Sequence, residues 1–155
     1  MQLVFYDRSY HDLIEQYQIT EQQLKFTGAP IESNRLTELD SDRYAILAIQ
    51  EGNLVTYFNL HKNEGVKPFA DNPSAILLRA FSTDNRYRGK GYAKEVLKLL
   101  PSFIKEHFKE IDEIVLAVNK ENDVAQKLYV KCGFIDHGER RMGKKGELII
   151  MSCSL

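Results

Sequence analysis

Cysteine is scarce in this sequence, and no part of the chain is strongly apolar or dominated by one charge. Its two cysteines, Cys132 and Cys153, lack metal-like spacing, so we expect reduced core thiols and no metal site. The formal net charge is −1 with 28% charged residues, which does not indicate nucleic acid or an anionic membrane as a partner. No run of about 18 apolar residues and no basic leader occurs. These absences predict a soluble, cytoplasmic protein.

Two common phosphate-binding patterns are also missing. The P-loop string does not occur, and the dinucleotide fingerprint lacks its third glycine, because Lys94 occupies that position. What is present is a loop, residues 86–93, with Gly89 and Gly91 at the mouth of a helical segment. Free backbone N–H groups at such a mouth attract an anion, and a di- or polyphosphate is the natural ligand. The flanking cations are Arg86, Arg88 and Lys90.

Hydrophobic periodicity predicts a single α/β (α+β) domain over residues 1–155. The predicted strands are residues 3–6, 44–50, 54–60, 75–81, 114–118, 134–139 and 148–154. Two short helices are expected before residue 28, a long one over residues 92–109, and a last one between Asn122 and Gly133. Pro101 predicts a kink in the long helix, or two consecutive helical pieces. Residues 28–42 are interpreted as a polar connection, and residues 142–146 as the turn of the last hairpin.

A second informative segment is residues 119–134. Asn122, Ala125 and Tyr129 follow one another at i, i+3 and i+7, so they form one stripe on a helix that a single extended ligand can contact. A phenol next to a leaving thiolate can stabilise or protonate it, which is the chemistry that aminolysis of a thioester needs. A tyrosine in such a place can equally be a core aromatic whose hydroxyl bonds a carbonyl.

The two segments together resemble the GCN5-related N-acetyltransferase (GNAT) superfamily. The matching strings are Arg-x-x-Gly-x-Gly-x-Ala, from Arg86 to Ala93, and Asn-x-x-Ala-x-x-Leu-Tyr-x-x-x-Gly-Phe, from Asn122 to Phe134. The resemblance implies a mixed, mostly antiparallel sheet of about seven strands, splayed in a V between strands 4 and 5 and flanked by about four helices. It also implies an N-acetyltransferase that uses acetyl-CoA as co-substrate and a primary amine as acceptor.

The resemblance further implies the site residues. Tyr129 is the expected general acid, and the edge of the fourth strand is expected to pair with the extended pantetheine arm of the coenzyme. The expected coenzyme contacts are Ala80, Phe81, Ser82, Arg86, Arg88, Gly89, Lys90, Gly91, Tyr92, Ala93, Asn119, Asn122 and Ala125. A homodimer is compatible with the resemblance, since dimers are common in the superfamily.

The sequence departs from the superfamily where many members place a catalytic glutamate. Residues 74–82 contain Arg79 and no carboxylate, so the base is another group, a water chain, or absent if the amine arrives neutral. Arg79 within an apolar strand needs a partner, and a structural ion pair is expected for it. The candidate bases, none of which is assigned, are Glu32, Glu38, Asp40, His61 and Glu64.

The acceptor is less determined than the reaction. The string Gln22-Gln23-Leu24 and the pair Gly138-Glu139 resemble small bacterial enzymes that acetylate polyamines or similar amines. Acids within residues 32–42 suit a cationic amine by charge complementarity, although a solvated loop explains them equally. Two alternatives stay open, namely a protein or peptide N-acetyltransferase and a degenerate module that binds acetyl-CoA and regulates a partner.

Overall fold

A seven-stranded sheet forms the centre of the computed structural model, which describes residues 1–155. The strands are β1 (Gln2–Phe5), β2 (Arg43–Gln50), β3 (Asn53–His61), β4 (Ala75–Thr83), β5 (Glu113–Asn119), β6 (Ile135–Gly143) and β7 (Gly146–Ser154). Their order across the sheet is β1-β2-β3-β4-β5-β7-β6. Only β4 and β5 are parallel. The predicted mixed, mostly antiparallel sheet is thereby confirmed.

Five helices cover the two faces of this sheet. They are α1 (His11–Glu15), α2 (Glu21–Leu24), α3 (Pro30–Leu39), α4 (Tyr92–His107) and α5 (Asp123–Lys131). Alternate residues of β2 belong to different cores: Ile46 packs in the cluster that contains α4, and Leu47 in the cluster that contains Ile14 of α1. The helices α4 and α5 therefore lie on one face and α1 with α3 on the other. None of the five has the length and apolar character needed to cross a membrane.

The interpretation of residues 28–42 as a polar connection is wrong, because most of them form α3. Pro30 occupies the first turn of this helix, where its missing N–H costs nothing. After Pro30, the residues that α3 buries are Ser33 and Asn34, which are polar, and Asn34 accepts a hydrogen bond from the Tyr57 hydroxyl at 3.3 Å. An apolar stripe is therefore absent from the sequence of α3, and its periodicity gave no helical signal.

Two other boundaries differ from the expectation. Helix α4 is continuous through Pro101, so the alternative of two helical pieces is wrong. The strands of the last hairpin extend to Gly143 and Gly146, which leaves only Lys144 and Lys145 in the turn. The shorter turn places these two lysines at the rim of the sheet, next to the end of β5.

The sheet opens between β4 and β5, as the predicted V-shaped splay requires. Parallel pairing joins residues 75–78 of β4 to residues 113–116 of β5 and then stops, although both strands continue. Ala80 lies just beyond this point with a φ of 55°, where the pairing of β3 with β4 is shifted by a bulge between Tyr57 and Asn59. A left-handed alanine is strained, and such a bulge turns a strand away from its neighbour. The bulge therefore accompanies the opening.

Candidate active site

A cleft of about 520 Å³ occupies the opening between β4 and β5. Residues of α4 and α5 line one side of it, and residues from α2, the segment after α2 and the β6–β7 turn line the other. The cleft brings together nine of the residues predicted from the sequence, namely Ala80, Phe81, Ser82, Arg88, Ala93, Asn119, Asn122, Ala125 and Tyr129. The two sequence segments thus meet in one site.

The glycine loop adjoins this cleft, because Arg88 and Ala93 at its two ends line it. Gly89 and Gly91 both have a φ of 80°, and no protein atom lies within 4 Å of where a side chain would start at either position. Gly91 precedes the first turn of α4, and no side chain caps this helix end. The first amides of α4 are therefore free to bind an anion, and the helix dipole favours one. Gly89, Lys90, Gly91 and Tyr92 themselves are not among the residues that line the cleft.

Arg86 does not join the other cations of the loop in the cleft. Its guanidinium donates to both carboxylate oxygens of Asp84, at 3.1 and 2.8 Å, and to the carbonyl of Gln16 at 3.2 Å. Asp84 is fully buried, so this pairing neutralises a carboxylate that would otherwise be costly. The side chain of Arg86 thus holds a structural pairing and lies outside the lining of the cleft, and its contact with the coenzyme stays a prediction. Arg88 lines the cleft with no carboxylate partner.

The end of β4 is partly occupied by side chains from the opposite face. Tyr17 donates its hydroxyl hydrogen to the Ser82 carbonyl at 2.8 Å, and Gln23 donates to the Thr83 carbonyl at the same distance. Of the predicted edge, Arg79, Ala80 and Phe81 lie between the last β5 pairing and these bonds. The stretch left open for an extended ligand is therefore shorter than the sequence suggested.

Asn119, at the end of β5, and Asn122, before α5, hydrogen-bond the backbone around them. Asn122 accepts a hydrogen bond from the Ala125 amide at 3.3 Å and so caps α5, as predicted. Asn119 accepts from the Glu121 amide and donates to the Lys145 carbonyl, both at 2.9 Å. The side chain of Asn119 therefore ties the β6–β7 turn to the end of β5, and both ends of its amide are engaged by the protein.

Tyr129 is buried among aromatic rings at the inner end of the cleft. Its ring meets those of Phe81 and Phe134 edge-on, with centroids 6.1 and 5.8 Å away. Burial raises the pKa of Tyr129 above its usual value, and no hydrogen bond or charge contributes to the shift. The phenol thus keeps its proton across the physiological range and has no partner in the protein. The alternative of a core tyrosine bonded to a carbonyl is not what the structure has.

No carboxylate lines the cleft, and none of the five candidate bases reaches it. Asp40 and His61 instead bond each other, with 2.8 Å between Oδ2 and Nε2. Arg79 donates from Nη1 to Nδ1 of this imidazole at 3.3 Å and has no carboxylate within 4 Å. The expected ion pair of Arg79 is therefore wrong. The imidazole of His61 lies between the guanidinium of Arg79 and the carboxylate of Asp40.

Several residues that line the cleft were not among the site residues predicted from the sequence. The side of the cleft opposite α4 and α5 includes Gln22, Gln23, Phe26, Thr27, Lys144, Lys145 and Leu148. The capping box of Thr20 and Gln23 located α2 correctly. Nothing in the chain predicted that α2 faces a turn more than 100 residues away, where Lys145 Nζ donates to the Leu24 carbonyl at 2.5 Å. The β6–β7 turn and α2 thus close the cleft together.

Comparison with known proteins agrees with the fold and the cleft. The sequence profile of the Acetyltransferase (GNAT) family matches residues 6–134. The chain belongs to this family and is an acetyltransferase. A relative from Bacillus subtilis (strain 168), the uncharacterized N-acetyltransferase YbbJ, is 37% identical over 150 residues, which are 96% of this chain and 94% of the relative.

Solved structures share the fold at low sequence identity. One is the aminoglycoside acetyltransferase AAC(6')-Ib in complex with paromomycin and acetyl-CoA, with a TM-score of 0.80, 15% identity, and coverage of 99% of this chain and 92% of that one. Another is a chimera of the spermidine N-acetyltransferase SpeG from Vibrio cholerae and hSSAT, with a TM-score of 0.72, 17% identity, and coverage of 99% and 96%. At these identities the likeness shows the fold alone.

Proposed function

We propose that this protein transfers the acetyl group of acetyl-CoA to the primary amine of a small molecule, by direct attack in a ternary complex. The observation that carries the proposal is the opening between β4 and β5, which leads from the uncapped start of α4 to the hydroxyl of Tyr129. The structural neighbour AAC(6')-Ib has acetyl-CoA bound to the same fold, which supports the choice of donor.

The chain offers complementary groups for each part of the donor. The pyrophosphate binds at the free amides after Gly91, with Arg88 and Lys90 as counter-charges. The pantetheine arm runs along β4 past Ala80 and Phe81, and the stripe of Asn122 and Ala125 on α5 borders its other side. The thioester then lies near Tyr129, at the inner end of the cleft.

The reaction forms one bond and breaks one. The neutral amine nitrogen attacks the thioester carbonyl carbon, a nitrogen–carbon bond forms, and the carbon–sulfur bond breaks with release of the coenzyme thiolate. Tyr129 donates a hydrogen bond to this thiolate, or transfers its proton to it and is then reprotonated from water. The surplus proton of the amine passes to water, because no aspartate or glutamate lines the cleft. A substrate amine that arrives neutral is consistent with this arrangement.

One observation favours the alternative of a regulatory module that binds acetyl-CoA without turnover. The missing carboxylate leaves the protein with no side chain in the cleft that is a strong base at neutral pH. The free and protonated hydroxyl of Tyr129 favours the enzyme, because a binding module has no use for an unpaired phenol at the inner end of the cleft.

The test is a calorimetric titration of the protein with acetyl-CoA, followed by a thiol-release assay with a panel of primary amines. We expect saturable binding, and thiol release that depends on both the protein and one class of amine. Binding without release by any amine supports the regulatory module. Absence of binding contradicts the proposal as a whole, since every part of it depends on the coenzyme site.

A further inference from the structure

The side of the cleft formed by α2, the segment after it and the β6–β7 turn, here called the acceptor side, carries several cations that have no carboxylate partner. Lys144 and Lys145 line the cleft from the β6–β7 turn, and Arg79 lines it from β4. An adjoining recess shares Lys145 with the cleft and adds Lys25 and Lys120. None of these cations belongs to the glycine loop, whose own cations serve the coenzyme phosphates in the proposed function.

The lysines have no acidic partners to neutralise them. None of Lys25, Lys120, Lys144 and Lys145 has a carboxylate within 4 Å. The recess contains two glutamates, and one of them, Glu147, faces Arg140 at 3.9 Å. Glu121 is therefore the one glutamate of the recess without a cationic partner, compared with four unpaired lysines. The acceptor side therefore carries a positive potential that the protein does not balance.

Arg79 adds a half-buried cation to the same cleft. Its one side-chain partner is the imidazole of His61, and burial lowers the pKa of Arg79, which means that the surroundings disfavour its charge. A guanidinium has five N–H donors in a fixed fork, which a carboxylate or phosphate matches closely. A bound anion would offset the cost of burying this charge.

The cleft is also prepared for a polar ligand by its geometry. The turn that carries the lysines is fixed from two sides, since the Lys145 carbonyl accepts from Asn119 and its ammonium group donates to the Leu24 carbonyl. Thr27, which lines the same side, has an enclosed hydroxyl without any hydrogen-bond partner. Enclosed hydroxyls in native proteins are nearly always bonded, so this one can take a polar group of a ligand or a water as its partner.

We infer that the acceptor is a small amine that also carries an anionic group, a carboxylate or a phosphate, which the lysines of the β6–β7 turn and Arg79 bind while Thr27 bonds a polar atom of the molecule. This inference rests on the proposed function and narrows its substrate class. Spermidine and aminoglycosides are polycations, and the cleft has no acid to receive them. The acids of residues 32–42, which suggested a cationic amine in the sequence, do not line the cleft.

The test compares amines that differ in one group. The acceptors are β-alanine, propylamine and 1,3-diaminopropane as one set, phosphoethanolamine and ethanolamine as a second, and the common amino acids with their amides as a third. The thiol-release assay gives kcat/KM for each at fixed acetyl-CoA. We expect the anionic member of a set to be the best acceptor, and its KM to rise with ionic strength. The carboxylate and phosphate sets distinguish the two sources of negative charge.

A pair of variants tests the lysines directly. Lys144→Glu should raise KM for the anionic acceptor by about three- to tenfold, with kcat and the dissociation constant of acetyl-CoA little changed. Lys109→Glu makes the same change of charge at an exposed position after α4, outside the cleft, and should leave KM as it is.

Two results overturn the inference. One is a neutral or cationic amine that is used better than its anionic match, which leaves the proposed transferase intact. The other is a protein that binds acetyl-CoA but turns over no anionic amine of the panel. Failure to bind acetyl-CoA removes the proposed function and this inference together, and the calorimetric titration identifies that case before any acceptor is tried.

Discussion

At the scale of single residues, the hydroxyl of Tyr129 is the group whose surroundings most constrain its chemistry. The ring that carries it packs edge-on against Phe81 and Phe134, burial alone raises the pKa of the phenol, and the hydroxyl makes no hydrogen bond. The same lack of water raises the pKa of a thiol, as it does for Cys132 and Cys153 elsewhere in the chain. A desolvated thiolate is more basic than one in water, so a phenol of raised pKa can still protonate it.

Tyr129→Phe is expected to lower kcat by ~10²-fold while leaving the affinity for acetyl-CoA unchanged, because the variant loses only the proton donor. The free energy of unfolding should hardly change, since the hydroxyl bonds nothing in the protein. Tyr6→Phe, which removes a surface hydroxyl bonded to His11, is the matched control. Single-turnover kinetics over a range of pH measure the effect. An unchanged rate would mean that the thiolate leaves without help from Tyr129.

At the scale of elements, the loop from β4 to α4 combines two left-handed glycines with an uncapped helix. A side chain at Gly91 meets no protein atom, yet it projects into the space from which an anion must approach the first amides of α4. Asparagine tolerates positive φ better than most residues. An asparagine at this position should therefore block the ligand while adding little strain to the backbone.

Gly91→Asn should weaken acetyl-CoA binding by about tenfold or more, which is at least ~1.4 kcal/mol, with a modest change in Tm. Gly52→Asn is its control, because Gly52 has a φ of 79°, equally open space around it and a place in the β2–β3 turn. Calorimetry gives the affinities and thermal unfolding gives the stabilities. Equal affinity in the two variants would show that the loop is a turn without a role in binding.

At the scale of the whole molecule, a chain of three side chains joins elements that are distant in sequence. Asp40 ends α3, His61 ends β3, and Arg79 lies in the middle of β4. Because Arg79 donates to Nδ1 of His61, the ring proton is on Nε2 and is donated to Asp40. The imidazole is therefore neutral in the folded protein and links the two charges.

The hydrogen bonds that link Asp40, His61 and Arg79 predict that the folded protein loses stability in acid. Burial lowers the pKa of His61 below its model-peptide value of 6.5, so the unfolded state binds more protons than the folded state below that pH. The stabilisation that comes from neutral His61 is complete above pH 6.5. It is lost as the pH falls towards the pKa that His61 has in the folded protein. Hydrogen bonds from the Asp42 amide and from His61 lower the pKa of Asp40, which adds a further loss at lower pH.

Urea unfolding of the wild type and of His61→Gln, between neutral pH and about pH 5, tests this expectation. The variant should be less stable at neutral pH by about 1–3 kcal/mol, because Arg79 loses its partner, and its stability should vary less over the interval. The same dependence on pH in both proteins would show that another group dominates the acid response.

How much of the molecule the sequence predicts depends on the range of the interactions involved. The strands of the sheet, the start of α4 and the cap of α5 follow from patterns within one or two turns of chain, and all three are in the structure. Helix α3 was missed because it buries Ser33 and Asn34, whose partners come from other elements. The bond from Arg86 to the Gln16 carbonyl was not predicted either, because the two residues lie 70 positions apart and meet only in the folded chain.

The sequence by itself determined the parts of the site that are contiguous: the glycine loop, the stripe on α5 and, through them, the family. These depend on backbone geometry and helical spacing, which a few neighbouring residues specify. Only the tertiary structure decided where the cleft opens and which charges surround it, because the bulge at Ala80 and the end of the β4–β5 pairing bring α2 and the β6–β7 turn to the same edge. The net charge of that edge depends on residues from several segments that come together only in the folded chain. No pattern within one segment can therefore predict it.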